Sequence, residues 1–145
     1  MENLQIRRLQ REDAEEISRI YTAITRQAVD TDFKRIVQDH ALSTEDACFV
    51  AEHEGKLVGF MISYILTGGF GEAKSAWIAT LGVDPNFMGM GIGAGLAEEI
   101  FRFYKTKGIE NVYTSVRWDS TDLLSFFKTL GFDRSNFINL RKVLD

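Results

Sequence analysis

Four glycines at alternate positions, Gly89, Gly91, Gly93 and Gly95, separate a strand-like stretch ending Val83-Asp84-Pro85 from an apolar helical repeat. That repeat is made by Ile92, Leu96, Ile100, Phe103 and Tyr104. Nothing else in the chain narrows its fold as far. A glycine inside a helix costs roughly 1 kcal/mol against alanine, and a whole domain is only about 5–15 kcal/mol stable. The first four N–H groups of a helix have no internal partner, and a Ser, Thr, Asp or Asn side chain normally takes one of them. Here the preceding positions are Met and Gly, which offer no side-chain acceptor. Bare N–H groups, a helix dipole and a backbone that admits close approach make an anion site suited to phosphate or pyrophosphate. Glycines that simply pack a helix tightly on a sheet are the plainer alternative.

Around this segment the periodicity predicts a mixed sheet covered by helices. Leu4 and Ile6 alternate as a first strand, and Ile17, Ile20, Tyr21 and Ile24 fall at helical spacing, as do Phe33, Ile36 and Val37. These two helices join near Asp30-Thr31-Asp32. Residues 48–52 and 57–66 are rich in Val, Ile, Phe and Tyr, and the short turn at 53–56 makes them an antiparallel hairpin. A further strand is expected over 75–83. After the helix, which Gly108 is placed to end, come a strand over 112–117 and a helix capped by Asp119, Ser120 or Thr121 and ended by Gly131. A last strand is expected over 137–144. The order is β-α-α-β-β-β-α-β-α-β, with one parallel crossover near residues 76–117.

The length of 145 residues suits one domain, residues 1–145, that buries about 68–70% of its unfolded surface. No apolar run approaches the roughly 18 residues of a membrane span, and the first residues are too polar for a signal peptide. The single cysteine, Cys48, suits a reducing cytoplasm and reads as a small buried hydrophobe. A net charge of −4 gives no basic field for nucleic acid or an anionic membrane. His40 and His53 have no partners at metal spacing, so no metal is expected.

Two nucleotide classes fit poorly. A Walker A loop needs Gly-Lys followed by Ser or Thr, which is missing here. Gly89, Gly91 and Ala94 match the Gly-x-Gly-x-x-Gly/Ala dinucleotide pattern. However, a Rossmann unit places that motif after its first strand, with an acidic residue ending the second. Three predicted antiparallel strands come first, and Glu110 precedes its strand.

The segment Val83-Asp84-Pro85 followed by Met88-Gly89-Met90-Gly91-Ile92-Gly93 resembles the signature loop of the GNAT superfamily of N-acetyltransferases. Residues 120–132, ending Phe126-Phe127-Lys128-Thr129-Leu130-Gly131-Phe132, look like its second motif, and Ile6-Arg7 with Asp13 is similar to its usual first strand and helix start. The likeness is specific over residues 49–132. It implies that acetyl-coenzyme A is the cosubstrate, with backbone around Met88, Gly89, Met90, Gly91, Ile92, Gly93 and Ala94 on the pyrophosphate. Leu81, Gly82 and Val83 would pair with the pantetheine arm, and Ser120 and Phe127 would stand at the second motif's cofactor positions. Met88 replaces the family's usual Arg or Gln, Ser120 its Asn, and Phe127 a Tyr that often protonates the departing thiolate.

Acyl transfer to an amine also needs a base, because at pH 7 only about one lysine-like amine in a thousand is neutral. No carboxylate lies in 75–83, so Glu52 on the hairpin and Glu72 in the preceding turn are the candidates, with the Val83 or Gly82 amide facing the oxyanion. Arg102, Lys105 and Lys107 could meet the coenzyme's outer phosphate. Trp77, Trp118 and Phe70 could shape the acceptor side. The expected partner is an amine-bearing acceptor, a small molecule or a protein or peptide amine; homodimer formation stays open. A coenzyme A-binding sensor is the alternative, favoured by Phe127, and a dinucleotide-binding module is a third.

Overall fold

The computed structural model describes residues 3–25, 33–41, 43–69, 71 and 73–145. Among these, β1 (Leu4–Arg8), β2 (Cys48–His53), β3 (Lys56–Thr67), β4 (Lys74–Val83) and β5 (Val112–Thr114) form one sheet in that order. The helices are α1 (Ala14–Thr25), α2 (Phe33–Ala41), α3 (Ile92–Thr106) and α4 (Thr121–Thr129). Neighbouring strands are antiparallel except β4 and β5, which α3 connects. The expected junction at residues 30–32 lies outside the described residues. Glu54 and Gly55, both at positive φ (54° and 80°), turn β2 into β3 in the hairpin geometry that matches strand twist.

Alternation within the sheet builds two cores. In β2, Phe49 and Ala51 pack with Ile92, Leu96 and Ile100 of α3, while Cys48 and Val50 pack with Ile17 and Ile20 of α1 and Val37 of α2. The helix stops read from the sequence are met by left-handed glycines. Gly108 (φ +77°) precedes Ile109, whose N–H reaches the Tyr104 carbonyl, and Gly131 (φ +94°) precedes Phe132, whose N–H reaches that of Phe127. A buried polar cluster ties α3 to the sheet. The Tyr104 hydroxyl accepts the Ala47 N–H at 2.9 Å and lies 2.7 Å from Ser63 Oγ, which donates to the Ala47 carbonyl. Burial pushes the neighbouring Cys48 thiol up to about 12, so it stays protonated and inert.

Two strand expectations are corrected. Residues 137–144 form no strand: Phe137 rests on Tyr113 at 5.6 Å and Asn139 Nδ2 donates to Ser115 Oγ at 3.1 Å, but β5 pairs only with β4. Ile138 and Leu140 each remain 83% exposed. Apolar alternation supports a strand only where a ladder receives it. For the same reason β5 ends at Thr114 rather than at residue 117.

Candidate active site

The parallel pairing of β4 and β5 covers only Ala76, Trp77 and Ile78 opposite Val112, Tyr113 and Thr114. Thr114 Oγ1 donates to the Ile78 carbonyl at 3.0 Å and closes the last rung. Beyond it, β4 continues to Val83 with β3 on one side and no strand on the other. The split coincides with a bulge. Thr80 lies opposite Ile62 and Ile78 opposite Ser63, so Ala79 has no counterpart. The inward set slips by one residue there, from Ala76 and Ile78 to Leu81 and Val83, all packed towards α3. Half of the backbone polar groups over 79–83 therefore face an open slot that an extended polar ligand could fill as an added strand.

That open edge leads into the glycine segment. Asp84, buried and 3.3 Å from Arg19 Nη1, accepts the Asn86 N–H and turns the chain at Pro85. Gly89 and Gly91 then adopt φ of +80° and +79°, a region closed to most L-residues, and a Cβ on either would meet nothing within 4 Å. Gly91 is the N-cap of α3 and supplies no side-chain hydrogen bond, which leaves the first N–H groups of the helix bare. Gly93 and Gly95 serve differently: a Cβ there would come 3.0 Å from Phe126 Cε1 or Ile6 Cδ1. Two of the alternating glycines thus shape a left-handed turn at an uncapped helix start, and two let α3 sit close to α4 and β1. Met88 and Met90 flank the turn half-exposed.

On the other face, the bulge opens into a cavity of about 380 Å3 whose lining includes Tyr21 of α1, His40 of α2, Tyr64 of β3, and Ala79 and Thr80 of β4. His40 Nδ1 is 3.0 Å from Asp46 Oδ2. The slot and the cavity meet β4 at the same point, so a ligand in one is within reach of a ligand in the other.

Of the residues singled out from the sequence, Leu81, Gly82, Val83 and the 88–94 loop are brought together. Glu52 is not. It sits on β2, two strands from β4, with Oε1 held 2.6 Å from Arg7 Nε. Arg7 also forks onto Asp13 at 2.8 and 2.9 Å, and these partners, Asp13 first, hold its guanidinium firmly protonated. Glu52→Gln is accordingly expected to leave turnover within about twofold of wild type, where loss of a general base would cost about 10²–10⁴-fold; a steady-state assay decides.

Glu72 and Phe70 lie outside the described residues. Ser120 is the N-cap position of α4. Phe127 is 5% exposed, in ring contact with Phe126 and Phe132. Arg102 pairs with Glu99, and Lys107 lies over the Phe103 ring, roughly 15 Å or more along α3 from the glycine turn. Trp77 stacks on Tyr113, and Trp118 is 86% exposed; neither lines the cavity. The sequence does not single out the cavity residues His40, Tyr21, Tyr64 and Thr80 as a group, nor Asp46 beside His40. From its sequence neighbours His40 reads only as a possible metal ligand, whereas its partner is a carboxylate six positions on. Among the described residues no cluster of three or more His, Cys, Asp or Glu could hold a metal, and no helix is long and apolar enough to cross a membrane.

The sequence pattern of the acetyltransferase (GNAT) family matches residues 13–132. The chain belongs to that family. Its curated relatives include a mycothiol acetyltransferase of Amycolatopsis mediterranei, 30% identical over 93 residues (62% of this chain and 31% of that protein). N-alpha-acetyltransferase RimI of Mycobacterium tuberculosis is 39% identical over 57 residues, covering 39% of this chain and 34% of RimI. The match thus spans about a third of these relatives' length. Among solved structures, an aminoglycoside acetyltransferase from an uncultured soil metagenomic sample, in complex with sisomicin, superposes with a TM-score of 0.80 at 26% identity over 99% of this chain and 97% of that one. An aminoglycoside N-acetyltransferase with a bisubstrate analogue superposes at 0.79 and 19% identity, covering 97% and 99%, which shows the shared GNAT fold. The dinucleotide-binding alternative falls with this fold, because the glycine turn follows a fourth strand in a mainly antiparallel sheet.

Proposed function

We propose that residues 1–145 act as one acetyl-coenzyme A-dependent N-acetyltransferase domain in the cytoplasm, which delivers the acetyl group directly to a primary amine. One observation carries this reading: the open edge of β4 runs from a bulge beside a cavity to an uncapped helix N-terminus built from glycine. Those features fit the three parts of the cosubstrate. The N–H groups of Ile92, Gly93 and Ala94 would hold pyrophosphate. Leu81, Gly82 and Val83 would bond the pantetheine arm. The thioester end would lie where the strands part, between β4 and β5. Acetyl-coenzyme A supplies the acetyl group as a thioester.

The acceptor amine would come from the cavity side. Because the cavity meets β4 at Ala79 and Thr80, the oxyanion donor belongs among residues 80–82. Val83 lies three residues past Thr80, about 10 Å along the strand. A covalent acetyl-enzyme is disfavoured because the only thiol, that of Cys48, is buried on β2 with its ionisation suppressed. Phe127 offers no proton, but a coenzyme A thiol with a pKa near the 8.5 of cysteine leaves as thiolate without one. The relatives' names cover varied acceptors, and an aromatic cavity with no lysine or arginine among its described lining suits a small amine or the amino end of a peptide.

The sensor reading retains one specific support, the apolar burial of Phe127 where an acid is usual in the family. Thiol release from acetyl-coenzyme A across a panel of amines and N-terminal peptides separates the two. Release with at least one acceptor is expected, together with a melting temperature raised by acetyl-coenzyme A and not by NAD. Firm binding with no release for any acceptor would favour the sensor.

A further inference from the structure

We propose that His40 and Asp46 form the proton-accepting pair of the acceptor pocket, with His40 Nε2 as the base and Asp46 as its positioning residue. The inference rests on the acetyltransferase reading and adds the group that neutralises the acceptor. An ionised carboxylate can only accept, so the 3.0 Å contact with Asp46 Oδ2 places a proton on His40 Nδ1. Nε2 then carries the lone pair, and no described residue bonds to it. Asp46 is itself fixed. Its Oδ1 accepts the Ile65 N–H at 3.0 Å, its own N–H donates to Ser43 Oγ at 3.2 Å, and Arg8 Nη2 donates to its carbonyl at 3.1 Å. The Ser43 N–H closes onto the His40 carbonyl at 3.1 Å, which fastens the end of α2 to the loop that carries Asp46.

The surroundings single out this imidazole. The two side chains are 21% and 17% exposed, and His40 lines the cavity while Asp46 backs it from outside the lining. The other titratable groups in the described lining are the phenols of Tyr21 on α1 and Tyr64 on β3, which are weak bases at neutral pH. β4 contributes only Ala79 and Thr80, and α2 adds only Phe33 and Ile36. An incoming ammonium gives one proton to Nε2, and Asp46 stabilises the imidazolium. The amine nitrogen forms the C–N bond as the C–S bond breaks, its second proton passes to the departing sulfur, and Nε2 returns its proton to water.

The test pairs His40→Gln with Asp46→Asn in thiol-release assays with a primary amine. His40→Gln should lower kcat about 10²-fold near neutral pH while leaving acetyl-coenzyme A affinity unchanged. The deficit should narrow as pH rises towards the amine's own pKa, because the acceptor then arrives neutral. Asp46→Asn can still accept from Ile65, but its amide presents donors to Nδ1. It should therefore reverse the imidazole tautomer seen in 15N spectra of the ligand-free protein and produce a smaller rate loss with the same pH trend. A deficit in the folded variants that stays constant with pH, or a wild-type spectrum showing Nε2 protonated, overturns the pair and leaves the acetyltransferase reading intact. A wild-type chain that binds acetyl-coenzyme A and releases no thiol with any amine overturns both. Should His40→Gln not fold, the wild-type spectrum and Asp46→Asn decide.

Discussion

Replacing Gly91 with aspartate should weaken acetyl-coenzyme A binding at least tenfold, about 1.4 kcal/mol at 25 °C. The backbone there is left-handed, at φ +79°, and aspartate is among the few L-residues that visit this region. Its Cβ would meet nothing within 4 Å, so the fold should persist. The new carboxylate would lie beside the bare N–H groups of α3, take one or two of them, and repel the pyrophosphate that they would otherwise hold. Gly91→Ala is the control: it brings at least as much backbone strain without the charge and should still lose less affinity. Calorimetric titration of both variants gives the comparison. Undiminished affinity in a folded Gly91→Asp protein would mean that the phosphates lie elsewhere.

Gly59→Val should produce the largest loss of stability among the changes considered. A Cβ at Gly59 would stand 2.9 Å from Ile92 Cγ2 and 3.4 Å from both Leu96 Cδ1 and the Gly82 carbonyl oxygen. Ile92 and Leu96 are at most 1% exposed and have nowhere to retreat. Overpacking of this kind costs about 1–3 kcal/mol, and each kcal/mol lowers the melting temperature of a chain this size by roughly 2–4 °C. The change also reaches the site. Ile92 opens α3, so lifting it shifts the N–H groups that follow the glycine turn, and coenzyme affinity should fall along with the melting temperature. An unaltered melting curve would show that α3 can slide over β3, contrary to the tight contact at Gly59.

How much of this was legible in the sequence depended on whether the signal was local. Periodicity found all four described helices, and the glycine stops at 108 and 131 were read correctly because a left-handed cap depends on one residue and its neighbours. The glycine run was only partly legible. Its alternation suggested one purpose, yet Gly93 and Gly95 are spaced by Phe126 and Ile6, residues distant in sequence. The expected last strand failed for a related reason: a run such as Phe137-Ile138-Asn139-Leu140 states a preference, and only a neighbouring ladder can satisfy it.

The cavity beside β4 was the least legible part. Glu52 looked available as an isolated carboxylate, but register places Gln5 opposite it and Arg7 reaches across to hold it. The pairing of His40 was not legible because its partner follows the end of its helix, on the loop leading into β2. Its setting also depends on a bulge that slips β4 by one residue at Ala79. Bulges leave little trace in composition, since any small or polar residue can occupy them.

The unpaired edge of β4 also has a colloidal consequence. A strand edge with free N–H and C=O groups invites pairing with the strands of other molecules. In this chain the exposure is short, kinked at Ala79 and cut off by Pro85, so its adhesiveness is limited. A bound pantetheine arm would cap it altogether. Storage without cosubstrate and storage with it would then differ in more than activity: the ligand that feeds the reaction would also keep neighbouring copies of the protein from adhering.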